Sequence, residues 1–600
     1  MMHYFTPTAA ALAGLFLGLL PLRADGPADR IYTGGHIVTM DDAKPMAQAV
    51  AVHAGKILAV GTTAEVMKHR GDLTLVIDLK GKALLPGFID PHSHIIQVAA
   101  KLATANLSPP PIGPVDSIAR LKEALREFKK NKRLRPGQWI LGMGYDDTAL
   151  PEKRHPTRYD LDDVSTDNPI FLLHISCHMA ALNSRALALA KITADTADPV
   201  GGRIRRQKGT REPDGVLEEH ALLPVAAVLP KPSPKQAGEM IHAAFRSYAS
   251  HGITTAEEGA ATPGIVEALR TLAQKGKLPL DVVAYPLYLT AEKELADYKN
   301  DRRYTNGFRL GGIKFVLDGS IQGYTGFLSQ PYYIQPGQTA PANCPCTSDK
   351  AARFVLSEIQ QDDGKSMPKG PKSQYRGYPA FEDQTGLNAL IFTAIRKGWP
   401  ILAHTNGDAA TDQLITAVRA ALKIHPVADH RTTIIHAQTL REDQLDEAKK
   451  LDMLPSFFPG HVYYWGDRHR DIFLGPKRAA RISPAASAIR RGMRFTLHHD
   501  APVVPEDMLH IVWCAVNRVT SSGKMLGADQ RIAVRDALKA ITIHAAWQYF
   551  EEDRKGSIKP GKLADLVILS DDPLTIEPMK IKDIRVVETI KEGITIYRAE

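Results

Sequence analysis

The sequence predicts an α/β protein built on a (β/α)8, TIM-like barrel, joined to a small β-sandwich domain made from both termini and carrying an inserted α+β subdomain after the first barrel strand. Three observations lead there. Apolar runs of strand length recur along the chain, mostly followed by helical patterns, which is the texture of βα repeats. The two ends share a different, Gly-punctuated β texture. Residues of metal-ligand type fall at the C-terminal ends of the apolar runs, and in a closed barrel those ends meet at one mouth.

The chain has 600 residues, more than one ordinary domain holds, so a large core with satellites is expected. Residues 9–20 form a short apolar run followed by Pro21 and the small-residue exit Leu22-Arg23-Ala24, which is signal-peptide anatomy over residues 1–24. A membrane-spanning helix needs about 20 apolar residues. The run therefore predicts export to the periplasm or medium, with no membrane attachment after processing.

Hydrophobic residues make up 44% and charged residues 24%, the balance of a soluble globular chain rather than of a disordered one or a membrane bundle. The formal charge is +9, but basic residues are dispersed in pairs and short clusters such as Lys129-Lys130, so no nucleic-acid partner is expected. The four cysteines, Cys177, Cys344, Cys346 and Cys514, make no disulfide scaffold and fit no zinc ribbon. Export would permit a strained disulfide in the Cys344-Pro-Cys346 loop, a long-range pair, or free thiols.

Residues 25–83 alternate short β-rich runs with Gly turns (IYTGGHIVTM, QAVAVHAGKILAVG, LVIDLKGKALLPG) and read as antiparallel strands. Residues 557–600 repeat that texture (SIKPGKLADLVILS, IRVVETIKEGITIY), so the two ends are expected to form one domain. Between them, residues 84–556 hold the barrel. Its strand candidates are 83–90, 252–259, 278–286, 311–319, 400–408, 432–438, 452–459 and 493–500. The central ones are nearly continuous apolar runs, as parallel strands buried on both faces should be. Two gaps are too wide for one crossover helix: residues 101–250, an inserted subdomain, and residues 320–390, a long loop. Both start at strand C-terminal ends and are expected to wall the pocket.

His92 and His94 follow the first strand in Asp90-Pro91-His92-Ser93-His94. Residues two apart on extended chain point the same way, so both reach one cation, although a lone H-x-H also fits surface or capping histidines. His404 in the fifth strand and His436 in the sixth would each alone read as satisfied core histidines. Together, near the ends of their strands, they suit zinc-like cations. Lys314 sits among Ile313, Phe315, Val316 and Leu317, where an unpaired ammonium would cost several kcal/mol. Either it reaches a carboxylate such as Asp318, or it is carboxylated by CO2 and bridges two cations. Asp500, at the end of the eighth strand, is a turn or capping residue, or a general base beside metal-bound water. Phe457, Phe458, Tyr463, Tyr464 and Trp465 follow the seventh strand. They form loop core or a wall for a hydrophobic substrate group, with Trp465 the candidate substrate contact.

The set His92, His94, Lys314, His404, His436 and Asp500 resembles the binuclear pattern of the amidohydrolase superfamily. The flanking motifs resemble its YtcJ-like branch, which includes N-substituted formamide deformylase: LLPGFIDPHSH, CHMAALNSRAL at 177–187, REPDGVLEE at 211–219, IKFVLDGSIQG, AHTNGDAA, IHAQ, HHDAPV and PGKLADLVILSDDPL. The resemblance spans nearly the whole mature chain, and every metal position holds a competent residue. Two departures concern pocket shape: His499-Asp500 stands where a Ser-Asp pair is usual, and the long loop carries a CPC.

The resemblance implies two divalent cations, zinc foremost, with His92 and His94 on one, His404 and His436 on the other, carboxylated Lys314 between them and Asp500 on the first. A bridging hydroxide would attack an amide-type carbonyl of a small organic substrate while Asp500 passes its proton to the leaving amine. His178 is implied to face the pocket and hydrogen-bond the substrate oxygen, its alternative being a structural histidine of the subdomain. A homodimer is also implied. Other readings of the same scaffold are a deaminase or cyclic-amide hydrolase, and a non-catalytic periplasmic binding protein.

Overall fold

Eight strand positions surround one apolar interior. The computed structural model that places them describes residues 26–177, 179–199, 202–296, 302–334 and 375–600. Residues 1–24, read from the sequence as a signal peptide, and His178, Cys344 and Cys346 lie outside the described residues.

Phe88–Ile89, Ile253–Ala261, Asp281–Pro286 and Phe308–Leu310 form one parallel sheet. Ile313–Val316, Ile401–Thr405, Thr433–His436, Leu454–Phe457 and Thr496–Leu497 form a second. The fourth strand is shared between them, because it breaks at Gly311–Gly312, where a Cβ on Gly312 would collide with the Pro400 carbonyl. Strands anticipated at eight places in the sequence are all present. Ile89, Val283, Tyr285, Leu402 and Ile435, from the first, third, fifth and sixth positions, pack into one cluster closed by Tyr549. That shared interior is what a barrel's strands enclose. Ladder pairing is not continuous round the ring among the described residues. The sheets meet at a single bridge between Leu287 and Lys314, and beyond the last and first strands the links are His94 N–H to the Ala501 carbonyl, 2.8 Å, and Asp500 N–H to the His92 carbonyl, 3.3 Å.

Helices cover the outside. Asp408–Ile424 buries Leu414, Ile415, Ala417, Val418 and Ala421 against the strands, the helical spacing of an amphipathic face. Pro234–Ser250 starts from a capping box in which Ser233 and Gln236 satisfy each other's backbone, with Pro234 in the first turn.

Residues 105–219 contain a six-stranded mixed sheet with its own core, in which Leu121 and Leu125 of helix Ile118–Asn131 meet Ile140, Ile170 and Leu172. The strands from both chain ends form one eight-stranded sheet. Arg30–Val38 branches within it, pairing with Leu75–Asp78 along its first half and with Ala83–Pro86 along its second. Separate apolar clusters form on it, one around Val50, Leu84 and Leu566 and the other around Ile31, Ala49 and Val66.

A buried ionic network ties this sheet to the barrel. Asp281, opening the third barrel strand, receives Lys555 Nζ at 2.6 Å and Lys591 Nζ at 3.1 Å, and Lys591 also meets Asp565 at 3.2 Å. Burial alone would raise the Asp281 pKa, but the two ammonium groups hold it at about 2, below its ordinary 3.8. A depressed carboxylate stabilises the fold above its unfolded pKa and loses that contribution as pH falls through the folded value. Asp281→Asn is therefore expected to cost about 3 kcal/mol at neutral pH by stranding buried ammonium charge. The gap from wild type should shrink between pH 4 and pH 2 in denaturant titrations. A gap constant across that range would rule out this role.

Candidate metal centre

The C-terminal ends of the strands bring the six sequence-predicted ligands together. Lys314 Nζ lies 3.1 Å from His92 Nε2. The Asp500 carboxylate lies 3.6 Å from His92 Nε2, 3.4 Å from His94 Nε2 and 4.0 Å from His436 Nε2. His404 and His436 face each other edge to face, with ring centres 4.5 Å apart.

Three of the four imidazoles are anchored by one nitrogen so that the other faces the centre. His92 Nδ1 meets Glu257 Oε1 at 2.6 Å, His404 Nδ1 meets Asp318 Oδ1 at 3.2 Å, and His436 Nδ1 meets His498 Nε2 at 3.0 Å. His498 is held in turn by Ser456 Oγ, 2.9 Å from its Nδ1. Nδ1 protons donated outward leave each Nε2 lone pair pointing inward, the tautomer that a metal-binding histidine needs. On His404 that nitrogen also lies 3.4 Å from Asn406 Nδ2. Gly259 is required beside this arrangement, since a Cβ there would sit 2.5 Å from His92 Cε1.

The electrostatics suit a cation-binding site. Burial drives the His92 and His436 pKa values well down, so both rings are neutral. Burial also lowers Lys314 to about 8. At His94 burial acts in the same sense, but Asp500 and Glu258 override it and raise the imidazole to about 9. Asp500 Oδ1 and His94 Nδ1 are buried with no hydrogen-bond partner. The Asp500 Oδ1 acceptor, converging with the neutral rings of His92 and His436, is a donor set that divalent transition ions satisfy. His436 and Asp500 also hold left-handed backbone, φ 68° and 57°, a cost of about 1–3 kcal/mol each of the kind that collects at functional sites.

Lys314 does not pair with Asp318. That carboxylate accepts the N–H groups of Phe327, Asn406 and Gly407 besides His404. His499, the departure beside Asp500, turns beneath the site: its Nδ1 accepts the Ala501 N–H at 3.0 Å and its Nε2 lies 3.5 Å from Asp90. Trp465 is buried, with its ring 5.8 Å from that of His461. The sequence-implied role of His178 falls on a residue outside the described ones.

Sequence reasoning missed Glu257, His498 and His461. His461 is buried, its ring centre is 6.0 Å from that of His436, its Nδ1 has no partner, and burial lowers its pKa to about 3. Position in the seventh βα loop, Pro459-Gly460-His461, was the available signal, hidden by the aromatic residues around it.

A ring of parallel strands with these groups at its mouth defines a metal-dependent hydrolase of the α/β barrel class. The chain belongs to the amidohydrolase family, whose signature matches residues 75–597, and it is an enzyme acting on carbon–nitrogen bonds other than peptide bonds. It is 26% identical over 575 residues to N-substituted formamide deformylase of Arthrobacter pascens, covering 95% of this chain and 98% of that one. It is 28% identical over 584 residues to the putative amidohydrolase YtcJ of Bacillus subtilis, covering 94% and 99%. Among solved structures, a metal-dependent hydrolase from Pyrococcus horikoshii superposes with a TM-score of 0.69 at 22% identity, over 92% of this chain and 99% of that one, which supports the fold.

Removing an outer partner should loosen metal without unfolding the ring. Glu257→Gln, which keeps shape but replaces the carboxyl group that holds His92 Nδ1, is expected to weaken metal affinity by about 10–100-fold in chelator competition. Unchanged affinity would mean that the Glu257 contact only packs the strand.

Proposed function

We propose that the protein hydrolyses an amide-type bond of a small organic molecule at a pair of divalent ions, zinc foremost. His92 and His94 would hold one ion and His404 and His436 the other, with Asp500 on the first and Lys314 between them as its carbamate. The observation that carries this reading is the Asp500 carboxylate, set within 4.0 Å of three inward-facing imidazole nitrogens and left with an unmet buried oxygen.

Forming the carbamate needs the free amine of Lys314, whose nitrogen adds to the carbon of CO2 and releases a proton. Burial among apolar neighbours favours the neutral amine that this addition needs, and bound cations would stabilise the anionic product. Divalent ions bound here would acidify water to a pKa of about 7 and polarise a carbonyl. Asp500 then has one task, carried out at its unpartnered Oδ1. It accepts the proton of the attacking water and delivers it to the leaving nitrogen as the carbon–nitrogen bond breaks, giving an acid and an amine. His461, neutral and unpartnered, offers the substrate a hydrogen bond from the opposite side of His436.

Asp500→Asn cannot carry that proton. Its kcat should fall at least about 100-fold while bound metal, read by elemental analysis, stays near the wild-type level. Wild-type turnover by this variant would remove Asp500 from the mechanism. A panel of N-formyl amines, N-acyl amino acids, cyclic ureas and aminopurines, offered to enzyme prepared with bicarbonate and zinc, separates amide hydrolysis from ring opening and deamination.

A further inference from the structure

A second cavity of about 280 Å³ lies beside the centre and contains none of its proposed ligands. Its barrel-side wall is the segment that leaves the fourth strand, with Ser320, Gln322 and Tyr324. Its other wall is the inserted sheet, including Arg205 on strand Gly202–Arg206. Trp465 lines the cavity and joins the two sites, because its ring contacts His461 and His461 contacts His436. The volume is near the lower end for small-molecule sites and suits one substituent rather than a whole ligand.

The walls hold polar groups with unmet capacity. Gln322 Oε1 and the Tyr324 hydroxyl are buried with no hydrogen-bond partner. Arg205 meets Asp214 only at 3.8 Å through Nε, too far for a hydrogen bond, and among the described residues no hydrogen bond engages its two terminal nitrogens. Three neighbouring charges have partners of their own, while Asp214 faces Arg205 itself. Arg206 is spent on the carbonyls of Ala194, Thr196 and Arg211, Asp146 meets Arg468 at 3.0 Å, and Asp147 accepts from His174 at 3.0 Å.

We propose that this cavity receives the non-reacting end of the substrate and that this end carries a carboxylate, held by the open fork of Arg205. The inference rests on the hydrolase reading above and narrows it to amides of the N-acyl amino acid type. A planar guanidinium with both terminal nitrogens unused matches a carboxylate's two oxygens. Tyr324 and Gln322 then serve the polar atoms next to it, a donor and an acceptor for the amide or hydroxyl groups such compounds carry. The aromatic residues after the seventh strand thus form a bridge between two polar sites rather than the floor of an apolar one.

The test is calorimetric binding of an N-acetyl amino acid and of its methyl ester to the metal-loaded full chain, wild type and Arg205→Met, with thermal melts to confirm folding. Wild type should bind the acid at least about 10-fold tighter than the ester, and the variant should lose that preference. Arg205→Lys, which keeps the charge without the fork, should retain part of it and provides the second variant if Met is not tolerated. Equal binding of acid and ester by wild type, or an undiminished preference in both variants, would overturn the proposal. Selective binding of the acid by a protein that turns over no amide would instead count against the hydrolase reading and leave the subsite standing.

Discussion

Six strongly hydrated groups held together where little water reaches set the terms for the rest of the structure. An ammonium or carboxylate buried alone costs several kcal/mol, and Lys314 and Asp500 are both buried. They are tolerable together because each lies beside the same imidazoles and because divalent cations would complete the charge balance. Parallel strands are suited to this task. Their apolar bodies fill the interior with Ile89, Val283, Leu402 and Ile435, while the first strand supplies His92 and His94 and the fourth, fifth, sixth and eighth one ligand each.

The same constraint explains the polar groups behind the ligands. Glu257, Asp318 and the His498–Ser456 pair each fix a ring orientation that packing alone would leave free. Tyr549 donates to Glu257 at 2.6 Å, and two residues later Glu551 pairs with Arg309 and Lys555. Lys555 reaches Asp281, and Lys591 links Asp281 to Asp565 in the terminal sheet. Buried hydrogen bonds and ion pairs, joined by the backbone between Tyr549 and Glu551, therefore run from the ligand shell to the sheet built from the chain ends. The terminal strands act as a brace for the barrel as well as a satellite of it.

Chemistry and selectivity are carried by different parts of the molecule. The ligands lie within the residues 75–597 that the family signature matches. The inserted sheet and the segment after Val316 supply the second cavity, where Arg205, Gln322 and Tyr324 face a volume that no barrel strand lines. Loops on a rigid scaffold can change while the reaction stays the same.

How much of this was legible in the sequence differs by level. The eight strand positions were, because near-continuous apolar runs ended by polar residues are a local signal, and so were His92, His94, His404, His436 and Asp500, which stand at or just past such ends, and Lys314, a charge inside such a run. Both alternatives at Lys314 were also legible, but the choice was not: Asp318 is four residues away in the chain, yet it turns to the backbone of Asn406 and Gly407 and to His404. Glu257 and His498 looked like ordinary residues of buried strands. Their partners lie 165 and 62 residues away, so only the closing of the strands into a ring makes them support His92 and His436. The sequence alone determined which side chains stand at strand ends, since that follows from periodicity. Tertiary structure decided which nitrogen each imidazole turns inward and which charges share a cavity, since those depend on contacts between segments that no local pattern encodes.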